Sequence, residues 1–461
     1  MSQTTKELQQ KKRIAMMAEG PIGRALFKLS APAVAGMIVM AIYNIVDTIF
    51  VSFLRDTTAI AATGIVFPMF QLIGAVGLTF GMGAASVISR RLGAGDHEGA
   101  HRAATTAFYS ALAVGIVLSV LGAIFIQPLL RVFGATPDIL TEATLYGRVI
   151  IGGSVFLVVN MTLNNLLRAE GASGHSSLGQ MIGAVLNILL DPIFIFVLDM
   201  GIAGAAVATV IAQAASTLFL LSFYLRRKGT LQPVSLKHLH PTLTTYRAIM
   251  TLGFPTFVRQ ILGSLSFAIV NNAAGGFGDG AIAAVSITFR VFMLIFMSMM
   301  GLAQGLQPLV GYNYGAEAYD RVHATIRLVI RLAVGFGAVA GFALIVFSRP
   351  IMTFFTPQDA EVIAMGTFAT RTFSIALIPA GLVILFGGIF QALGDGRSAL
   401  LLAASQQGLY LIPMVLLLPP FFGVNGVFMA QPAGFVLAFL TGLILMKRSY
   451  AKLKREEGAR S

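Results

Sequence analysis

"YLRRKGTLQPVSLKHLHPTLTTYR" (residues 224–247) is the longest polar stretch between apolar runs in this chain. The sequence on either side is too apolar for a soluble domain of ordinary composition: of 461 residues, 56% are hydrophobic and 11% charged, with a mean hydropathy of +0.83. Apolar runs of at least ~18 residues, enough to cross a bilayer, recur from Ala25 to Met446 between short joints containing Arg, Asp, His, Gly or Pro. Six precede the polar stretch and six follow it. A large β-barrel would show alternating segments of ~10 residues instead. The expected fold is therefore an all-α integral membrane protein with twelve transmembrane helices in two six-helix bundles. The expected parts are an N-terminal tail (1–24), a first lobe (25–225), an inter-lobe linker (226–245), a second lobe (246–446) and a C-terminal tail (447–461).

The two halves repeat one another. "LSAPAV" (29–34) answers to "LGFPTF" (252–257), pairing Pro32 with Pro255. "RLGAGDHEGAH" (91–101) answers to "NYGAEAYDRVH" (313–323), pairing Gly93 with Gly315. "LLRAEGASGHSSL" (166–178) matches "IFQALGDGRSAL" (389–400) with one deletion, and "GIAGAAVA" (201–208) matches "GVNGVFMA" (423–430). An even number of spans per half makes these parallel repeats, an architecture of transporters, in which a site is exposed to one side and then the other. Small residues in "GMGAASVIS" and "GIAGAAVA" favour close helix packing.

The formal charge of +13 reports orientation, not nucleic acid. With both termini in the cytoplasm, about 25 basic residues, from Lys6 to Arg460, fall at inward ends. Only Arg55, Arg131, Arg148, Arg349 and Arg371 fall at outward ends. Contact with anionic membrane lipid is expected on the basic side. Residues 1–24 are basic and lack the apolar core of a cleaved signal. With no cysteine, disulfides and thiolate chemistry are excluded. The six His fall mainly in cytoplasmic joints without metal-ligand spacing, and no Walker A motif occurs. No catalytic residue and no cofactor are expected.

A buried ionisable residue within a span costs at least ~2.5 kcal/mol and by default marks function. Asp47 lies in "AIYNIVDTIF" (41–50), with Asn44 one turn before it. "GAVLNILLDPIF" (183–194) holds Asn187 and Asp191 at i,i+4, on one helix face, followed by Pro192. "AVATVIAQ" (206–213) adds Thr209 and Gln213 at the same spacing. Together these are oxygen donors suited to Na⁺ or to proton exchange. The second lobe carries Val270 and Pro413 where the first has Asp47 and Asp191, and none of its spans holds a deep carboxylate. Ion coupling is thus expected in the first lobe. Arg259 and Arg290 are expected to hydrogen-bond Gln260, Asn271 or Gln304, or else to meet an anionic group. Met293 and Met297 in "FMLIFMSMMG" (292–301), with Gln304 and Gln307, are candidate substrate contacts.

"LSAPAVAGMIVMAIYNIVDTIFV", "GMGAASVISRRLGAGD", "NILLDPIFIF", "GIAGAAVATVIAQ" and "GLAQGLQPLVGYNYGA" together resemble the multidrug and toxic compound extrusion (MATE) family, in a prokaryotic DinF-like or MepA-like branch. The resemblance runs from about residue 20 to 446. It implies an antiporter of the prokaryotic cytoplasmic membrane, active as a monomer, that exports organic cations or amphipathic compounds against H⁺ or Na⁺. It also implies that Asp47, Asn187, Asp191 and Thr209 form the ion site, with Na⁺ as one candidate occupant, and that the first helix bends at Pro32. Some branches carry acidic residues for Na⁺ in the second lobe, and this chain lacks them. The alternatives are a lipid-linked or polysaccharide flippase of related architecture, an intramembrane enzyme using the Asp47/Asp191 pair, and a non-transporting receptor.

Overall fold

The computed structural model describes residues 3–54 and 57–458; Arg55 and Arg460 lie outside the described residues. All regular structure among them is helical. The first element, α1 (Gln3–Ala18), is a helix within the expected N-terminal tail. Ile14, Met17 and Ala18 share one face, and that face is packed into the core with Met17 fully buried. The first lobe follows as α2 (Ile22–Ser52), α3 (Thr57–Gly93), α4 (His97–Ile124), α5 (Ile126–Val132), α6 (Pro137–Gly152), α7 (Ser154–Ala169), α8 (Ser173–Pro192) and α9 (Gly201–Leu225). The second comprises α10 (Leu243–Gly275), α11 (Asp279–Gly315), α12 (Tyr319–Phe355), α13 (Ala360–Ile375), α14 (Leu377–Ala392), α15 (Gly396–Ala404), α16 (Ile412–Leu417), α17 (Pro419–Phe422) and α18 (Val424–Gly458).

Among the described residues ten helices, single or nearly continuous, are long and apolar enough to cross a membrane, and two further spans are bent pairs, α6 with α7 and α13 with α14, at 44° and 48°. Each bend has a local cause. At the first, Val210 of α9 presses on Gly153, where a β-carbon would overlap it. At the second, Pro379 removes an N–H and crowds the carbonyl of Ile375, so the helix breaks at Ala376. Pro192 likewise ends regular α8, and residues Ile193–Val197 continue as a π-helix. At 37 residues, α3, α11 and α12 each reach about 55 Å, well beyond the hydrocarbon layer.

The repeat is visible in the backbone. Gly95 and Glu317 both adopt positive φ (76° and 57°), as do Gly171 and Gly394 (79° and 81°) and Gly201 and Gly423 (54° and 58°). These are corresponding turns of the two halves.

Packing differs between the two ends of the molecule. At the base, where α1 and the last turns of α18 lie, one apolar core draws on both lobes, from Leu26, Ile88 and Leu163 to Leu306, Phe386 and Leu445. Away from the base the large cores separate: one is essentially first-lobe, around Val66, Ile150 and Leu157. Two are second-lobe, around Val270 and Phe428 and around Phe292 and Phe373. Backbones of opposite lobes touch only because glycine is present: a β-carbon on Gly93 would overlap the Tyr312 carbonyl, and one on Gly315 the Arg90 carbonyl. Gly253 meets the Thr79 carbonyl, and Gly301 and Gly305 meet the α2 backbone at Val34 and Ser30. Ser86 Oγ donates to the Gln391 carbonyl across the same seam. The lobes are therefore joined at the base and parted at the other end, the mouth.

Candidate functional site

The two carboxylates found in the sequence come together. α2 packs along α8, and Asp47, near the mouth end of α2, faces Asp191 closely enough for their carboxyls to interact. The i,i+4 spacing of α8 aims Asn187 at the same point: its Nδ2 donates to Asp191 Oδ1 at 3.2 Å and to Thr209 Oγ1 of α9 at 3.3 Å. Asp191, Asn187 and Thr209 are 0%, 2% and 7% exposed and Asp47 is half-buried, so the cluster lies inside the first lobe with Asp47 at its accessible edge. Val51, Ile195 and Ala205, backed by Phe50, Leu54 and Tyr146, wall it toward the mouth.

Two members went unseen in the sequence. Tyr43 stands beside Thr209, and Tyr43 and Tyr146 both stand beside the two carboxyls. Tyr43 had a signal, since it precedes Asp47 by four residues, the spacing that joined Asn187 to Asp191. Tyr146 had none, because only the bent α6–α7 span brings it to the cluster.

The arrangement offers two carboxylates, an amide oxygen and a hydroxyl. Asn187 Oδ1 and Asp191 Oδ2 are buried and receive no hydrogen bond from the described residues. Such oxygens fit a monovalent hard cation or a shared proton. Among the described residues no group of three or more His, Asp or Glu is arranged to hold a metal.

The other candidates are scattered. The Asn44 side chain is exposed and donates to the Met40 carbonyl at 2.8 Å. Gln213 is half-buried, one turn from Thr209. Met293 is 49% exposed and Met297 half-buried, whereas Met299 of the same run is in the core. Gln304 is half-buried, and Gln307 is buried near the closed seam. Pro32 and Pro255 also lie beside that seam, between residues that touch the opposite lobe, and both α2 and α10 run through them unbroken.

The hydrogen bonds expected for Arg259 and Arg290 are not made. Arg290 is exposed and Arg259 half-buried, while Asn271 Oδ1 and Gln304 Oε1 receive no bond from the described residues. Spacing explains this. Gln260 is turned about 100° from Arg259, Asn271 stands about 18 Å farther along α10, and Gln304 about 21 Å from Arg290 along α11. None has the i,i+3 or i,i+4 relation that lets side chains meet.

Known proteins of the same build carry transport names. The chain is 31% identical over 409 residues to the multidrug export protein MepA of Staphylococcus haemolyticus, covering 89% of this chain and 90% of that one. A structure described as the outward-facing conformation of a multidrug resistance MATE family transporter superimposes with a TM-score of 0.90 at 27% identity, over 96% of this chain and 98% of that. A MOP superfamily transporter from Pyrococcus furiosus, described as having reverse polarity of its binding pocket, gives 0.89 at 27% identity over 95% and 98%. The MatE family pattern matches twice, at residues 32–193 and 255–417, one match in each repeat. A multi-pass chain with two matched lobes and this pattern in both halves belongs to the MatE family of membrane transporters.

Proposed function

We propose that the chain is a secondary multidrug exporter that expels organic cations or amphipathic drugs in exchange for H⁺ or Na⁺, working as a monomer without a cofactor. The observation that carries this reading is the Asp47–Asp191–Asn187–Thr209 cluster, buried except for a half-buried Asp47, in the one lobe that bears deep carboxylates. The name of the Staphylococcus relative supports the substrate class. The excess of basic residues at the base supports a cytoplasmic base and termini in a prokaryotic cytoplasmic membrane, so that the mouth faces outward.

In this reading an external cation reaches Asp47 and Asp191 through the mouth. Neutralising the pair weakens its demand for the hydrogen bond from Asn187, α2 repacks against α8, and drug leaves outward. The lobes then close at the mouth and part at the base, where the cation departs and drug enters. Exchange requires ion and drug to favour different states, because each shifts the balance only by its differential affinity.

Efflux of a fluorescent organic cation from proteoliposomes, under H⁺ and Na⁺ gradients imposed separately, tests the proposal. Wild-type protein is expected to respond to at least one gradient and Asp47→Asn to neither. Equal gradient-driven efflux from both proteins would remove the carboxylate from the mechanism.

One observation favours a second reading, a flippase for lipid-linked anions. Arg259 and Arg290 make no hydrogen bond or ion pair among the described residues, leaving two cations in the second lobe available to a phosphate. Transfer of a labelled anionic lipid that disappears in Arg259→Ala and Arg290→Ala, with no dye efflux, would put that reading first.

A further inference from the structure

The helix α1 is attached to both lobes at the base. On the second-lobe side, Asn313 Nδ2 donates to the Met17 carbonyl at 3.1 Å. Arg321 Nη2 donates to the carbonyls of Met17 at 3.3 Å and Gly20 at 2.8 Å, while its Nε, bonded to Asn313 Oδ1 at 2.9 Å, fixes the guanidinium plane. These side chains grip carbonyls that a helix C-terminus leaves without intrahelical partners.

On the first-lobe side, Gln10 Nε2 donates to the Gly229 carbonyl at 2.6 Å and Arg13 Nη2 to the Lys228 carbonyl at 2.5 Å. The Arg13 guanidinium also lies 5.2 Å from the ring centre of Phe223 in α9. The linker that supplies those carbonyls is itself fastened to the first lobe. Glu170 Oε2 accepts from Thr230 N at 2.6 Å and Leu231 N at 3.1 Å, and Tyr109 donates to the Val234 carbonyl at 2.7 Å. Between the two grips Met17 is fully buried and rests on Gly171 of the first lobe.

Parting the lobes at the base stretches this arrangement from both sides, so α1 cannot keep both attachments. We propose that α1 is a clasp that holds the base closed while the mouth is open, and that releasing one of its grips is a step in opening the base. The inference rests on the alternating-access reading above but not on the identity of ion or drug. Contacts present in only one of two states bias their balance by the whole of their net energy, and whichever grip lets go, that on Met17 and Gly20 or that on Lys228 and Gly229, is of that kind.

The absence of cysteine makes the test direct. One doubly spin-labelled protein, carrying His97→Cys and Asp320→Cys, reports the distance between exposed sites of the two lobes at the base. A second, carrying Ile60→Cys and Phe277→Cys, reports the mouth. Each is measured in lipid vesicles without drug or gradient, alone and with Arg321→Ala, Arg321→Lys or Gln10→Ala. Arg321→Ala is expected to raise the ratio of base-open to base-closed molecules about tenfold, since a net loss near 1.4 kcal/mol corresponds to that factor. Gln10→Ala is expected to raise it less, and Arg321→Lys to fall between wild type and Arg321→Ala. Mouth distances should shorten in the same molecules whose base distances lengthen. Two base distances in wild type, with a ratio unmoved by every variant, would overturn the clasp and leave alternation intact. A base that loosens with no change at the mouth would also overturn it. A single fixed distance in all proteins would overturn alternation itself.

Discussion

Where the first lobe carries Asp47 the second carries Val270, and where the first carries Asp191 the second carries Pro413, although paired turns at Gly95/Glu317 and Gly171/Gly394 keep one backbone conformation. Val270 is 3% exposed and packs with Ala274, Ala281 and Val285, so the space that holds charge in one lobe holds hydrocarbon in the other. One scaffold thus supplies a polar cluster in one copy and a dry core in the second. A shared fold leaves chemistry free to differ at buried positions, provided each lobe satisfies its own interior.

The largest expected effect tests whether coupling belongs to one lobe. Asp191→Asn should reduce gradient-driven efflux about 100-fold, as should Asp47→Asn, and the double variant should be no worse, because residues acting as one unit are not additive. Proteoliposome efflux decides it, and a double variant much weaker than either single one would separate the two carboxyls. The reciprocal change, Val270→Asp, should create no second coupling site and should destabilise the protein by about 3 kcal/mol, the order of cost of a charge in an apolar span. Its melting temperature in detergent is the readout, and unaltered melting would mean the second lobe has room for charge after all.

Between these effects and the smaller ones stands the seam that both lobes share. Gly93→Ala places a methyl against the Tyr312 carbonyl and should cost the base-closed state about 2 kcal/mol, the usual order for overpacking. Interlobe distances at the base should lengthen. Within the first-lobe cluster, Tyr43→Phe removes the hydroxyl that stands beside Thr209 and the carboxyls and should raise the driving-ion concentration for half-maximal efflux about fivefold, the order of effect of one polar group. An unchanged ion dependence would confine Tyr43 to packing.

The smallest effect concerns pH at the base. Burial pushes the Glu170 carboxyl up to about 7 from its ordinary 4.5, opposed in part by Arg13 and by the amides of Leu231 and Thr230. A carboxyl whose folded value is raised contributes stability that is complete below about 4.5 and lost as pH rises through about 7. Glu170→Gln should flatten the melting temperature over that window, and an equal slope in variant and wild type would place the titration elsewhere.

Much of this was legible in the sequence because it is written in local patterns. Hydropathy marks spans, offset marks repeats, and i,i+4 spacing put Asn187 and Asp191 on one face, where they are found bonded. Four things escaped. The bends at Gly153 and Ala376 depend on a Val pressed in from α9 and on a Pro whose clash ends a helix that hydropathy alone reads as continuous. α1 was hidden because its mean composition is polar and only its narrow Ile14–Met17–Ala18 face is apolar. Arg168, counted among orienting charges, is 5% exposed and donates to Ser176 and Asn165 at 2.9 and 3.0 Å, a network between α7 and α8 that no single helix pattern foretells. Site members brought in from distant elements, such as Tyr146, are legible only in three dimensions.

The reciprocal contact at the base, Gly93 on the Tyr312 carbonyl and Gly315 on the Arg90 carbonyl, constrains both halves of the chain together. Each half is both the socket and the plug of the other. A carboxylate can be present in one half alone, but a residue larger than glycine at either position would jam the backbone of the other half, about 222 residues away. The interiors of the halves are thereby independent of one another, while any change at the seam acts on both at once.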